Sequence, residues 1–448
     1  MTKLHLSHLL PDSSTISPAG ILHIANHSIP ALAEAYGTPL YIYDRSTILN
    51  ACKQYFRAFE TQYSASPLRI LYASKAYLSP LIAQLMVEQG IGLDVVSGGE
   101  LLVARHANFP MDRVSFHGNN KSEEELRLAL ELGVGHIVLD NWHELERLSR
   151  IAQQTGQQPG VLIRVAPDVA TDTHRYLQTG HASSKFGFPL RNGEAKSAIL
   201  RILREGNVRL LGLHAHSGTM LRQPRPYQEC IERLLALVGE VHAETQWWPE
   251  EISPGGGWGV DTPDGTSTPG VEILAHALQI SMERGLAAIG GHSDSHRAPP
   301  TLVIEPGRSI IARAGVAIYR VGARKPTPGG ITYLFVDGGM ADNIRPALYG
   351  ALYSAIAVDK ATSPLQEHVC IAGRYCESGD MLVENVMVPM MHEGDLLALP
   401  TSGAYCLAMA SNYNLVPRPA VLLVDDHNVQ LMERRETYQD LLSRYNQK

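Results

Sequence analysis

A lysine, two histidines, a glycine triplet and a glutamate, each placed at or near the end of an apolar strand-like run, are the residues in this chain best suited to chemistry. Lys75 follows ILYAS, Asp94 lies within GLDVV, and His117, Asn119 and Asn120 close RVSFHGNN. His214 and His216 fall in RLLGLHAHSG, Gly255, Gly256 and Gly257 follow EEISP, and Glu305 and Arg308 close TLVIEPGRS. Taken singly, each has an ordinary reading. Lys75 is a rim lysine with its stem on apolar surface, His216 a hydrogen-bonded core residue, the glycines a turn, Glu305 a partner of Arg308, and Cys376 a small buried hydrophobe. Taken together they suit one cofactor. A Schiff base needs a lysine in a partly desolvated cavity, and glycine N–H groups bind phosphate without a side chain. A carboxylate keeps a pyridine nitrogen protonated, and a flat imidazole stacks on a ring. That set points to pyridoxal 5'-phosphate. No metal is expected, because the carboxylates are sparse and separated and there is neither HExxH nor a Cys/His cluster.

The elements that must position these groups repeat. ILYAS leads into PLIAQLMVEQ, with Ser79 as cap, Pro80 at the first helical position and Gly90 just past the end. RVSFHGNN leads into KSEEELRLALELG, where Ser122 and Glu125 have the spacing of a capping box and Gly133 suits the stop. GHIVLD precedes NWHELERLSRIA, and VLIRVAP, RLLGLHAHSG, EEISPGGG and TLVIEPGRS continue the series. About eight such units within residues 69–310 approach the ~250 residues of a (β/α)8 TIM-type barrel. No GxGxxG follows the first strand, which argues against an open dinucleotide-binding sheet. In a barrel, chemistry gathers at the C-terminal strand ends, where these polar groups lie.

Beyond residue 312, GVAIYRV, ITYLFVDGG, HVCIAG, DLLALP and AVLLVDD are short strand candidates separated by turn residues. A helix is expected in the terminal ERRETYQDLLSRYN. The expected organisation is residues 1–45 as a segment joining the β domain through PLYIYD, 46–312 as the barrel, and 313–448 as a mainly antiparallel β domain. DTPDGTSTPG (261–270) and GGHSDSHRAPP (290–300) read as exposed loops.

The bulk properties agree with a two-domain enzyme. At 448 residues the chain exceeds one ordinary core. A formal charge of −7, from 38 basic and 45 acidic residues, argues against nucleic acid or an anionic membrane as partner. The N-terminus lacks the apolar core of a signal peptide. Five scattered cysteines suit a reducing cytoplasm.

YASKA, DVVSGGEL, HGNNKS, SKFGF, HAHSGT, GGGWG, EPGRS, CESGD and SNYN follow one another in the order seen in fold-type III pyridoxal-phosphate decarboxylases, the alanine racemase/ornithine decarboxylase-like group. The resemblance covers residues 35–425 and is strongest to the branch acting on diaminopimelate. It implies that Lys75 holds the cofactor as a Schiff base, that His216 stacks on its ring and that Glu305 meets the pyridine nitrogen. Asp94 joins this cofactor set, and the phosphate lies against Gly255, Gly256 and Gly257 with Thr219 and Tyr405. Cys376 is the acid that reprotonates the substrate carbon, delivered from the second subunit of a homodimer.

Arg308, Arg345, Tyr349, Glu377 and Tyr405 are the candidate substrate residues. Two arginines and a glutamate suit a distal end bearing both carboxylate and ammonium, which ornithine, lysine and arginine lack. The implied reaction is decarboxylation of meso-2,6-diaminopimelate at its D-centre to L-lysine and CO2. Two alternatives stand beside it: a related decarboxylase acting on another diaminopimelate-like or basic amino acid, and a non-enzymatic regulator. The regulator is expected to lack Lys75 or Cys376, and both are present. Departures from the family pattern are Ser253-Pro254 in place of an acidic residue before the glycines, Trp258 after them, and Cys406 where an aromatic is usual.

Overall fold

A computed structural model describes residues 6–169, 184–290 and 297–445 of the chain. It divides into two compact units: Met1–Ala51 with Val260–Ser267 and Arg308–Lys448, and Cys52–Gly259 with Thr268–Gly307. Residues 260–267, expected as a loop within the barrel stretch, group with the β unit. Of the loop expected at 290–300, residues 291–296 lie outside the described residues.

The second unit is a closed parallel barrel. Its strands are β1 (Leu68–Ala73), β2 (Gly92–Val95), β3 (Val114–Phe116), β4 (His136–Leu139), β5 (Gly160–Ala166), β6 (Arg209–His214), β7 (Glu251–Gly255) and β8 (Thr301–Ile304). Each pairs in parallel with the next, and β8 closes on β1 through Leu302 opposite Leu68. Leu93, Ile163, Leu213, Ile252 and Leu302 are fully buried. They make strands that read as apolar runs because both faces of a barrel sheet are covered.

Side-chain caps start the helices after the first four strands. Ser79, Ser97, Ser122 and Asn141 accept from the backbone N–H of Ile82, Glu100, Glu125 and Glu144, and Ser122 with Glu125 forms the full capping box. A cap of this kind contributes about 1 kcal/mol. Here it also sets the residue at which each strand-end loop stops.

The β unit is built on the long strand Gly315–Pro326, which pairs antiparallel with Leu40–Asp44, Thr332–Val336 and Leu396–Leu399. Two pairings are parallel, Leu40–Asp44 with Ala420–Val424 and Thr332–Val336 with Glu367–Ala372, so the sheet is mixed. Its core gathers Leu22, Ile24, Ile29, Leu40, Ile42, Val316, Ile318, Val358, Leu422 and Val424. Among the strands that escape the sequence pattern are Met381–Val388 and Val429–Glu433. The latter takes the start of the expected terminal helix, which is reduced to Tyr438–Leu442.

Candidate active site

The barrel mouth holds one polar group from nearly every strand end. Lys75 sits in the short turn Ser74–Ala76 directly after β1, a turn tied down by the Tyr72 hydroxyl donating to the Tyr77 carbonyl at 2.7 Å. Its side chain is 43% exposed, and Nζ donates to Asp94 Oδ2 of β2 at 3.2 Å. Asp94 Oδ1 lies 3.6 Å from His117 Nε2, just past β3, and the same nitrogen lies 3.8 Å from Glu305 Oε1, just past β8. Glu305 is bonded to His214 Nε2 of β6 at 3.0 Å and accepts from the Ser253 hydroxyl of β7 at 3.0 Å. A continuous chain of charged and polar groups therefore runs Lys75–Asp94–His117–Glu305–His214.

Burial alone drives the Glu305 carboxyl upward, but His214 and then His117 outweigh it and leave it below the ordinary carboxylate range. Glu305 is thus an anion at neutral pH. Its partners are His214 and Ser253 rather than Arg308, which corrects the simple pairing the sequence allowed. His216 lies two residues beyond β6 rather than within it. Burial, then the charges of Lys75 and Arg164, push it well below its usual value, so the ring is neutral.

The glycine triplet is forced by close approach. A Cβ at Gly256 would stand 1.8 Å from the Glu305 carbonyl oxygen. At Gly257, φ is +111° and a Cβ would stand 2.0 Å from the Gly218 carbonyl and 3.4 Å from Thr219 Cα. Thr219 and the triplet are thereby adjacent. Ser253 donates to Glu305 and accepts from the Gly255 N–H at 3.1 Å, so this departure from the family pattern links the carboxylate to the loop. Trp258, the second departure, is buried and donates to the Pro269 carbonyl at 3.1 Å.

A third layer fixes the loop after β3. Buried Lys121 donates to the carbonyls of Gly118 and Val138, both at 2.8 Å, and pairs with Glu144. In β5, Arg164 lies 3.8 Å from Asp140 and stacks 4.4 Å above the Phe186 ring. Sequence reasoning gave no role to His117 and His214, noted Ser253 only as a departure from the family pattern, and did not single out Lys121, Glu144 or Arg164. The available signal was a cation in mid-strand, as in VLIRVAP, where apolar residues surround it.

In the β unit, Arg308, Arg345 and Tyr405 share one cluster. The Arg308 guanidinium stacks 4.6 Å above the Tyr405 ring. Arg345 opens the helix Arg345–Tyr349 and donates to the Tyr353 hydroxyl at 2.6 Å, which contacts Cys406 Sγ at 3.3 Å. Cys406, the third departure, is thus part of the support for Arg345. Burial, then the charge of Arg345, brings Arg308 down to about 10. Tyr349 ends the same short helix, half-buried. Cys376 and Glu377 lie on a different loop and are exposed, with the Tyr413 hydroxyl bonded to Glu377. Neither arginine pairs with Glu377.

The barrel residues fit a pyridoxal cofactor. They offer an accessible primary amine, an anionic carboxylate on the adjacent strand, a neutral imidazole and a side-chain-free loop. Asp94 Oδ1, His117 Nε2 and His214 Nδ1 are buried polar atoms without hydrogen-bond partners among the described residues, as in a pocket shaped for a polar guest. Ligand atoms of His117, His214 and Glu305 also lie within 4.8 Å of one another, close enough to converge on a cation. Hydrogen bonding already accounts for the His214–Glu305 contact.

Residues 46–312 match the family described as pyridoxal-dependent decarboxylase, pyridoxal binding domain. With the closed barrel and its strand-end lysine, that match places the chain in the class of pyridoxal-dependent decarboxylases. The chain is 41% identical over 427 residues to the diaminopimelate decarboxylase of Bacillus subtilis, covering 94% of each. It is 38% identical over 442 residues to that of Corynebacterium efficiens, covering 98% of this chain and 94% of the relative. A crystal structure of diaminopimelate decarboxylase from M. jannaschii in complex with L-lysine matches with a TM-score of 0.88 and 32% identity, covering 98% of each chain. The chain belongs to the diaminopimelate decarboxylase family of pyridoxal-dependent decarboxylases.

Proposed function

We propose that the protein uses pyridoxal 5'-phosphate to decarboxylate meso-2,6-diaminopimelate at its D-centre, releasing CO2 and L-lysine. The observation that carries this reading is the Lys75–Asp94–His117–Glu305–His214 chain beside the glycine triplet. When bound, the cofactor supplies a conjugated ring that takes up the electron pair left by departing CO2.

The protein's residues hold and orient. Lys75 Nζ is the attachment point, Asp94 keeps that amine in place, and Glu305 holds a proton at the ring nitrogen. His216 offers the face of a neutral ring. Gly255, Gly256, Gly257 and Thr219 are assigned to the phosphate, and Tyr405 is added to them from the family resemblance. Arg308 and Arg345 are assigned to the distal carboxylate of the substrate, Glu377 to its distal ammonium, and Tyr349 to the same end.

Cys376 is assigned the proton given to the carbon that loses CO2. Its exposure within a single chain suits a residue that completes the site of a second subunit, and we propose an active homodimer on that basis. All five cysteines are free, which supports a cytoplasmic enzyme.

The deciding experiment measures CO2 release from meso-diaminopimelate beside LL-diaminopimelate, ornithine, lysine and arginine. Turnover of the meso compound is expected, and preference for ornithine or lysine overturns the substrate assignment. Lys75→Ala is expected to abolish the visible absorbance of the bound cofactor. Retention of that absorbance rules out Lys75 as the attachment point.

A further inference from the structure

We infer that His117 is a positioning residue whose single imidazole N–H is given to either Asp94 or Glu305, coupling the charge of Lys75 to the proton affinity of Glu305. The inference rests on the cofactor reading above, because these two carboxylates serve the two ends of the cofactor.

The geometry is that of a donor between two acceptors. His117 is buried, and its backbone N–H donates to the Val95 carbonyl at 2.7 Å, which fixes it beside β2. Lys121 holds the following Gly118 carbonyl, so the backbone on both sides is pinned and the ring is the part free to adjust. Nε2 stands 3.6 Å from Asp94 and 3.8 Å from Glu305, just outside hydrogen-bond range of both. A shift of about half an ångström closes one contact and opens the other.

The groups facing the ring are Lys75, Asp94, His214, Glu305 and Arg164. His214 meets it edge-on with centroids 4.7 Å apart, and its own nitrogen is engaged by Glu305. Burial keeps His117 well below its usual value, so it is neutral and has one N–H to give.

The consequence follows from which carboxylate is better satisfied. While Lys75 is an ammonium on Asp94, that anion is paired, and the imidazole N–H goes to Glu305. When the Lys75 nitrogen loses its charge or leaves Asp94, Asp94 becomes the poorly satisfied anion and draws the N–H. Among the described residues Glu305 then keeps His214 and Ser253 alone, and its proton affinity rises.

The test titrates the visible absorbance of the holoenzyme against pH in the parent, His117→Phe and His117→Gln. Phenylalanine keeps the ring volume without a donor, and glutamine places an N–H near the position of Nε2. The midpoint is expected to move by about one pH unit in His117→Phe, a tenfold change in proton affinity, with His117→Gln returning most of the way. If the phenylalanine variant does not fold, His117→Asn, whose N–H is too short to reach, serves in its place. Equal midpoints in the parent and the donor-deficient variant, with thermal unfolding unchanged, overturn the inference and leave the cofactor reading standing. Equal displacement in the donor-deficient and glutamine variants also overturns it, since packing would then be the cause. A parent without a visible band overturns the cofactor reading and this inference together.

Discussion

Two guanidiniums held against aromatic rings, Arg308 over Tyr405 and Arg345 beside Tyr353, keep positive charge where it is costly to bury. Neither has a carboxylate partner among the described residues, and each is oriented by a ring or a phenol. A planar fork held in this way suits the distal substrate carboxylate proposed above as its partner. Replacing Arg345 with leucine leaves that carboxylate unpaired. Arg345→Leu is therefore expected to lower kcat/KM for meso-diaminopimelate by about a hundredfold, with little change in the cofactor's visible absorbance. Steady-state kinetics and a spectrum check both halves. Loss of cofactor to the same degree as activity would make Arg345 a structural residue instead. The residue types of this site were legible in the sequence, and their partners were not. Lys75, Asp94, Glu305 and both arginines stand out by charge at strand or helix ends. That Glu305 meets His214 rather than Arg308 follows from closure of the barrel, which sequence spacing does not encode.

Buried carboxylates of the β unit tie the segments that lead to Arg345 and Cys376 to each other and to its strands. Asp342 accepts from the Tyr41 hydroxyl at 3.2 Å, from the Gly339 N–H at 2.9 Å and from the Tyr319 hydroxyl. It thereby pins the segment leading to Arg345 onto the strands Leu40–Asp44 and Gly315–Pro326. Asp380 accepts from the N–H of Met340 at 2.6 Å and of Tyr375 at 2.8 Å, linking that segment to the loop of Cys376. Burial raises the Asp342 carboxyl to about 6, against the bonds it receives. The folded chain keeps this proton to higher pH than the unfolded chain does. The group's contribution to stability is thus present at low pH and lost as pH rises through about 6. Asp342→Asn is expected to flatten that dependence, narrowing the stability difference between pH 4 and pH 7.5 by on the order of 2 kcal/mol. Denaturant unfolding at the two pH values measures it, and parallel pH profiles for parent and variant would refute it. Helix starts were legible because a Ser or Asn cap is a local signal. The strand Met381–Val388 was not, because the adjacent Glu384 and Asn385 break its alternation, and pairing with Glu367–Ala372 overrides the local pattern.

At the scale of the whole molecule, the chain separates its chemistry between two units. The barrel carries the amine, the carboxylates and the glycine loop, and the β unit carries the arginines and the thiol. Sequence order made that division visible through the change from strand–helix repeats to short strands. Leu40–Asp44 crosses it, lying before the barrel in sequence and inside the β sheet in space. The proposed homodimer gives this separation a specific consequence, because a thiol that serves the neighbouring subunit can be lost from one chain while the amine is lost from the other. Lys75→Ala and Cys376→Ala homodimers are each expected to be nearly inactive. Mixed and allowed to exchange subunits, they form hybrids in which one site of two is intact. With random exchange of equal amounts, half of the dimers are hybrid, so activity should recover to about a quarter of the parent value. Recovery depends on exchange, which size-exclusion chromatography of differently tagged chains follows independently. Hybrids that form without any return of activity would place Cys376 in the site of its own chain and remove the argument for a shared active site.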